Sequence, residues 1–410
     1  MRDLESLDAS THGVVTTPPS SLKQARDKYE GAQCSKLFPW VPTALDKFYA
    51  NARASAAGSK KTVEEGIQEI LDVRWGTYAP GKDIVSLKYE PSLGHVNMSI
   101  YHTKPPNAAH KRPCILGVLE DAVKALHELL GDKELLLTIE TEDFPIMGRG
   151  KRLPAFSMCW DDGAIDIPIP DFTFKCYPEM RYSNTSWPAV APLLKLKSEM
   201  LPWPQRRSRL SHRSNWGVGP RRWLMPRLQK LQDEGKAVEV LGAEVDVQNT
   251  EFVASSGQKF QYVDDWCNSK YLIHTAGFSY SAGLKYRMAC GSLVFKLPSK
   301  WVEFYEPGIV AGKHYVELPA FKEGMPSDEE ADEYLANVAA PAIKKAVDAA
   351  KDSKDLPAIA LAGQKWVLDN LSEQGLSCYW FHAIQRYAQL YFDKPPSAEE
   401  SAEKQKAAQP

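Results

Sequence analysis

No run of 18 apolar residues occurs in this 410-residue chain, so nothing in it reads as a membrane-spanning helix. The N-terminus, MRDLESLDASTHGVVTTPPSS, lacks the apolar core of a secretion signal. An excess of charge of either sign is also missing. The 50 Lys and Arg nearly cancel the 52 Asp and Glu, and a formal charge of −2 argues against a general polyanion or nucleic-acid binder. There is no D-x-D pair, the usual cue for a metal-bridged diphosphate, and no G-x-S-x-G to support a Ser-His-Asp hydrolase. His274 and His314 have no partner at ligand spacing, so no metal site is expected. No internal repeat is present.

What is there suffices for real cores. Hydrophobic residues make up 43% of a chain about twice the usual domain length, so two domains are expected. Residues 1–30 are polar, carry Pro18-Pro19 and read as disordered. From Lys61 to Trp75 the apolar positions recur at three or four, a helical stripe. Ile84 to Tyr101 alternates as two strands, and residues 103–113 form a loop. Leu116 to Leu130 reads as a helix and Leu135 to Ile139 as a buried strand ending just before Glu140-Thr141-Glu142-Asp143. Ligands of such α/β units gather beyond the carboxyl ends of strands, which makes Asp143 a candidate base, against the alternative of a turn-capping aspartate.

A proline-bearing link at Leu194–Pro204 marks the expected domain boundary. A second α/β pattern follows: helix Pro220–Gln232, strand Ala237–Leu241, then a strand, helix, strand unit. Its parts are Tyr271–Ile273, a segment with Leu284, Met288 and Ala289, and Leu293–Phe295. Three helices close the chain, at Asp328–Asp352, Leu356–Asn370 and Cys378–Phe392. The aromatic stripe of the last is read as packing, and residues 394–410 as a disordered tail.

Two segments are suited to anions. Between Glu199 and Asp233 there is no carboxylate, yet Arg206, Arg207, Arg209, Arg213, Arg221, Arg222, Arg227 and Lys230 all occur. Within it, Arg213-Ser214-Asn215 precedes a glycine-rich turn and a helix, an arrangement that would offer guanidinium and backbone N–H to phosphate. A solvated basic face is the alternative. In the Gly277–Lys285 turn, Ser279 and Ser281 suit a helix N-cap, whose positive end would face an anion.

The order KYL, a small-residue turn, LKY, CGSLVF and a W-x-E-F pair resembles glycosyltransferase family 90, the capsule-associated and protein O-glucosyltransferase family. Glu142-Asp143-Phe144-Pro145 resembles its R-D-Y-P element, Asp166–Phe174 (DIPIPDFTF) its D-I-x-x-P-x-[WF]-T-F segment, and Ser377–Trp380 its C-Y-W. The resemblance spans residues 135–393. It implies the α/β GT-B architecture, with two Rossmann-like domains facing across a cleft and a C-terminal helix crossing back to the N-terminal domain. The expected divisions are 1–30, 31–194, 195–376, 377–393 and 394–410. It also implies disulfides Cys267–Cys290 and Cys34–Cys378. Cys114, Cys159 and Cys176 remain, an odd number that leaves at least one thiol; buried free cysteines are the alternative for all seven.

By the same resemblance the chain is expected to be an inverting glycosyltransferase. It would move glucose or xylose from UDP-glucose or UDP-xylose to a hydroxyl of a protein or glycan, without metal or further cofactor. Asp143 matches the catalytic base, and Arg213, Ser214, Asn215, Arg221, Gly277, Ser279, Ser281, Lys285 and Glu303 are the donor-binding candidates. Trp301 shares the W-x-E-F segment with Glu303. Glu142, Ser214, Trp216 and Gly283 depart from the family pattern, the last two standing where members carry arginines; Lys285 or Arg287 is the expected substitute for the second. Those departures motivate the other reading, a lapsed GT-B homologue acting as a nucleotide-sugar or glycan-binding scaffold. Localisation in the lumen of the endoplasmic reticulum or Golgi would require a leader missing from this sequence. Sequons stand at Asn97, Asn184 and Asn370.

Overall fold

The computed structural model describes residues 13–15, 32–73, 83–90, 92, 95–102, 112–131, 133–177, 185–250, 261–321 and 324–392. The expected disorder of residues 1–30 and 394–410, the 103–113 loop and the Asn184 sequon thus fall largely outside the described residues. Within residues 1–30, Gly13–Val15 departs from the expectation: this short β-prone run pairs antiparallel with His95–His102, Val14 opposite Asn97. Among the described residues no helix is long and apolar enough to cross a membrane.

Two compact units are present, each with its own sheet. The first comprises residues 1–171, 302–308 and 374–410; the second, 172–301 and 309–373. The first sheet is formed by β1 (Gly13–Val15), β2 (Asp83–Glu90), β3 (His95–His102), β4 (Leu135–Glu140), β5 (Phe156–Ser157) and β6 (Ile167–Pro168), in the order β1-β3-β2-β4-β5-β6. It is mixed, because the alternating segment read as two strands closes an antiparallel hairpin that also pairs antiparallel with β4; only β4, β5 and β6 run parallel. Leu135, Leu137 and Ile139 are fully buried, as a strand covered on one face requires. A helix over Trp40–Gly58 was not legible in advance. It buries Trp40, Val41, Ala44, Leu45, Phe48 and Ala52 at helical spacing.

The C-terminal helix, Glu373–Phe392, belongs to this first unit. The Cys34–Cys378 disulfide ties it across a sequence separation of 344. Tyr379 Oη donates to the Pro168 carbonyl at 2.5 Å and Tyr387 Oη to that of Leu136 at 3.0 Å. Arg152 Nη2 reaches the Leu390 carbonyl at 3.0 Å. The aromatic stripe therefore packs, as expected, and its hydroxyls satisfy strand-end carbonyls.

The second sheet holds β7 (Arg207–Ser214), β8 (Glu244–Asn249), β9 (Ser269–His274), β10 (Leu293–Lys296) and β11 (Val316–Glu317). Its order is β11-β10-β9-β7-β8, and every pairing is parallel. One face buries Leu210, Val245, Tyr271, Ile273 and Phe295 against Trp223, Leu224, Ile343 and Val347. Cys267–Cys290 is a disulfide, as the resemblance implies. Cys114 and Cys176 are disulfide-bonded too, while Cys159 keeps a buried thiol, consistent with the odd count.

Two boundaries and one element differ from the sequence reading. The link expected at 194–204 is a helix, Trp187–Met200, because Trp187, Val190, Ala191, Leu194 and Ser198 form a buried stripe. Trp187 Nε1 donates to the Leu371 carbonyl at 2.9 Å, so residues 172–200 belong to the second unit. Ala237–Leu241, read as a strand, is a helix ended by Gly242 in the left-handed region (φ 76°), burying Ala237 and Leu241 one turn apart. Residues 302–308 leave the second unit for the first: Val302 bridges Trp160 through 2.9 and 3.0 Å backbone bonds. Phe304 packs on Tyr379 at 4.7 Å between ring centroids.

Candidate active site

In the first unit the candidate base lies in the loop after β4. Three side chains, those of Glu140, Cys159 and Asp166, fix that loop. Glu140 Oε1 accepts the Glu142 amide at 2.8 Å. Cys159 Sγ donates to the Asp143 carbonyl at 3.2 Å. Asp166 accepts three amides: Ile146, Met147 at 2.9 Å and Ala155 at 3.0 Å. Burial pushes the Asp166 carboxyl up to about 7, against the opposing pull of those amides. Asp166 thus acts as a clamp on the loop, and the half-buried Asp143 side chain is carried on a backbone held from both ends. Glu303 also belongs to this unit, with Oε2 accepting from Tyr305 Oη at 3.1 Å. It is therefore separated by unit from the other donor-binding candidates.

The remaining candidates sit in the second unit, where the parallel sheet has a topological switch point. The chain leaves β7 for the edge strand β8, then returns to β9 on the other side of β7. Crevices for ligands in open parallel sheets form at the carboxyl ends of two such strands. Here those ends carry His212, Arg213 and Ser214 on β7 and His274 on β9, with Thr275 just after it.

The two connecting loops meet closely. Gly219 has φ +51°, and a Cβ added there would lie 2.3 Å from the Gly277 carbonyl oxygen. Gly219→Ala should therefore cost about 1–3 kcal/mol from backbone strain alone, with the clash adding to it. A urea melt would check this; a midpoint equal to that of the wild type would show that the loops can separate freely.

Arg221, the first residue of helix Arg221–Asp233, crosses from one loop to the other. Its Nη2 donates to Ser281 Oγ at 2.9 Å and to the Thr275 carbonyl at 3.4 Å, and Nε to Thr275 Oγ1 at 3.4 Å. Arg287 approaches from helix Leu284–Ala289. Its Nη1 lies 2.1 Å from where a Gly283 Cβ would be, its guanidinium covers the Trp266 ring at 4.5 Å, and Nη2 is 3.4 Å from His212 Nδ1. Gly283 is thus the residue type that leaves room for this guanidinium.

Both imidazoles sit where a proton is disfavoured. His212 Nδ1 faces the Ile273 carbonyl at 2.8 Å and so carries the proton, leaving Nε2 to accept from Ser214 Oγ at 2.8 Å. Burial first, then Arg287 and Arg221, hold His212 well below the usual imidazole value. Burial, then Arg287, Lys296 and Arg221, do the same to His274. A depressed folded-state value means that the stabilisation from each is full above pH ~6.5 and is lost as pH falls below it.

Several sequence candidates have other partners. Arg213 Nη2 forms an ion pair with Asp246 at 2.7 Å, and Nη1 bonds the Asp246 carbonyl at 2.6 Å; Arg209 takes the other carboxylate oxygen at 2.6 Å. The guanidinium expected at the diphosphate is spent on the neighbouring strand. Ser214 is engaged by His212, and Asn215 Oδ1 caps the Gly217 amide at 2.6 Å. The N-cap expected from Ser279 and Ser281 is instead Gly283, with no side-chain cap. Ser281 accepts from Arg221, and Ser279 is buried. The Gly277 amide bonds the Tyr280 carbonyl at 3.1 Å, closing the turn. Lys285 is fully buried, donating to Thr173 Oγ1 at 2.5 Å with its ammonium 4.1 Å from the Phe174 ring centroid. The structure therefore assembles Arg221, Gly277 and Ser281, brings Arg287 rather than Lys285 over Gly283 as one of the two expected substitutes, and adds His212, His274 and Lys296. Among the described residues no cluster of His, Cys, Asp or Glu could hold a metal ion.

The sequence profile described as glycosyl transferase family 90 matches residues 100–408. "O-glucosyltransferase rumi" of Drosophila melanogaster is 25% identical over 285 residues, 66% of this chain and 64% of that protein. "Protein O-glucosyltransferase 1" of Homo sapiens is 22% identical over 268 residues, 64% of this chain and 63% of that protein. The chain thus spans a little under two thirds of the length of these relatives. A solved structure titled "Crystal structure of GtfA/B complex" aligns at 9% identity with a TM-score of 0.29, over 46% of this chain and 37% of that one. A score that low carries no weight for the fold.

Proposed function

The chain belongs to glycosyl transferase family 90, and from that premise we propose that it is an inverting glycosyltransferase that moves glucose from UDP-glucose to a protein hydroxyl. UDP-xylose and a glycan acceptor are the variants of the same chemistry. The relatives' names, O-glucosyltransferases, favour glucose. In this reading Asp143 takes the proton of the acceptor hydroxyl as its oxygen attacks the anomeric carbon, and the glycosidic bond to UDP breaks on the opposite face. Arg221 and Arg287 neutralise the departing pyrophosphate. The observation that carries the proposal is the pairing of these two guanidiniums at the switch point of the parallel sheet.

A non-catalytic, sugar-binding role is favoured by one observation: Arg213 is held by Asp246, and Trp216 and Gly283 bring no charge. Against it, Arg287 occupies the space over Gly283. The disulfide-bonded cysteines favour an oxidising, secretory compartment.

Incubation with UDP-glucose or UDP-xylose and folded hydroxyl-bearing acceptor domains tests the proposal. The expected result is UDP release matched by a mass gain of one hexose, or one pentose, on the acceptor. UDP-sugar binding without transfer to any such acceptor would establish the binding role instead.

A further inference from the structure

Three N-x-S/T sequons stand in the chain, and the transfer chemistry uses none of them. Asn184 lies outside the described residues. Asn97 sits within β3, directly opposite Val14 on β1 and Lys88 on β2. Side chains so placed stand about 4.5–5.5 Å apart at Cβ, so Asn97 is flanked from both sides. Its Nδ2 donates to Glu90 Oε2 at 2.8 Å, and Lys88 pairs with Glu90 at 3.0 Å and Glu134 at 2.9 Å. A glycan on Asn97 would break into that charged cluster.

Asn370 has a different setting. It is the last residue of helix Ala358–Asn370, whose end lies at the surface: Asp369, Glu373 and Gln374 are exposed, and Asn370 is half-buried. The backbone beside it is pinned. Leu371 is fully buried, its amide bonds the Val367 carbonyl at 3.1 Å, and its carbonyl accepts from Trp187 Nε1 at 2.9 Å. Ser372 Oγ donates to the Asp369 carbonyl at 3.1 Å. Asn370 Nδ2 donates to the Trp366 carbonyl at 3.0 Å, which turns the amide back along its own helix. That bond uses one of the two amide hydrogens, so the second can be replaced. Residues four apart share a helix face, and Trp366 is half-buried, an apolar ring on the side a first sugar would take.

We propose that Asn370 is an N-glycosylation site. Such a site requires the secretory compartment that the disulfides favour, and so rests on that reading. In the step, Asn370 Nδ2 bonds the anomeric carbon of a lipid-linked oligosaccharyl diphosphate. The bond from that carbon to the phosphate oxygen breaks, the lipid diphosphate departs with the electron pair, and one Nδ2 proton is released. The product is a bulky, hydrated glycan at the end of this helix.

For the test, the protein is isolated from the cells that make it, with thiols alkylated at lysis. Its peptides are weighed after treatment with peptide N-glycosidase in heavy-oxygen water. The expected result is that Cys34, Cys267, Cys290 and Cys378 escape alkylation and Asn370 is recovered as labelled aspartate. An unmodified Asn370 in a chain whose cysteines are oxidised overturns the site and leaves the compartment reading standing. Alkylation of all seven cysteines overturns both. A second arm follows the full chain behind a cleavable leader in a eukaryotic secretory host. Asn370→Gln should abolish one glycan-sized gel shift, and so should Ser372→Ala, which removes the sequon but keeps the asparagine. Asn97→Gln should retain that shift. If one of the first two variants is not exported, the other decides. A shift that survives both of them and is lost in Asn97→Gln overturns the assignment.

Discussion

Asp143→Asn is expected to lower the rate of sugar transfer by about 10²–10⁴-fold while leaving UDP-glucose affinity within about twofold of wild type. The amide cannot accept a proton at any working pH, so the loss should appear in kcat. Asparagine matches aspartate in size, and the loop has holds besides the Asp143 carboxylate. Its carbonyl is bonded by Cys159, Glu140 holds the amide just before it, and Asp166 holds the amides of Ile146 and Met147 just after. A change in stability would thus separate a scaffold role from a chemical one. Initial rates at saturating acceptor, with donor affinity by calorimetry, are the measurement. Activity within tenfold of wild type would exclude Asp143 as the base, and an equal fall in donor affinity would make it a structural residue.

Period and punctuation made much of the second unit readable. The run Tyr271–Ile273, the segment around Leu284 and Leu293–Phe295 appear as β9, helix Leu284–Ala289 and β10, because buried parallel strands are continuous apolar runs. Ala237–Leu241 reads as a strand because the five residues AVEVL alternate and are too short for a decisive period; burial of Ala237 and Leu241 one turn apart makes it a helix. The site was less legible because its partners are set by register. Nothing local to Arg213 reveals that Asp246 lies across the β7–β8 pairing, two residues out of direct register. Nothing around Lys285 announces that Thr173 and Phe174, more than a hundred residues earlier, enclose its ammonium.

Arg221 should be the most damaging substitution on the donor side. Its guanidinium bridges the two loops through Thr275 and Ser281, and a Cβ on Gly277 would sit 3.3 Å from Nη2, so the glycine turn is shaped around it. Arg221→Ala would then remove a cation that matters most when the glycosidic bond breaks and the pyrophosphate gains charge. Loss of a preorganised donor of this kind costs about 10²–10³ in kcat. Ground-state binding of UDP should weaken less than the rate does, and binding of uridine least, because no phosphate is involved. Arg221→Lys keeps the charge but not the planar fork, so it cannot hold Thr275 and Ser281 together and should restore only part of the rate. Calorimetry with uridine, UMP and UDP, alongside kcat, distinguishes the possibilities. If uridine affinity falls as far as UDP affinity, Arg221 is holding the turn rather than the phosphates. If kcat is unchanged, the leaving group finds its charge compensation elsewhere, and Arg287 with Lys296 would be the cations to remove next.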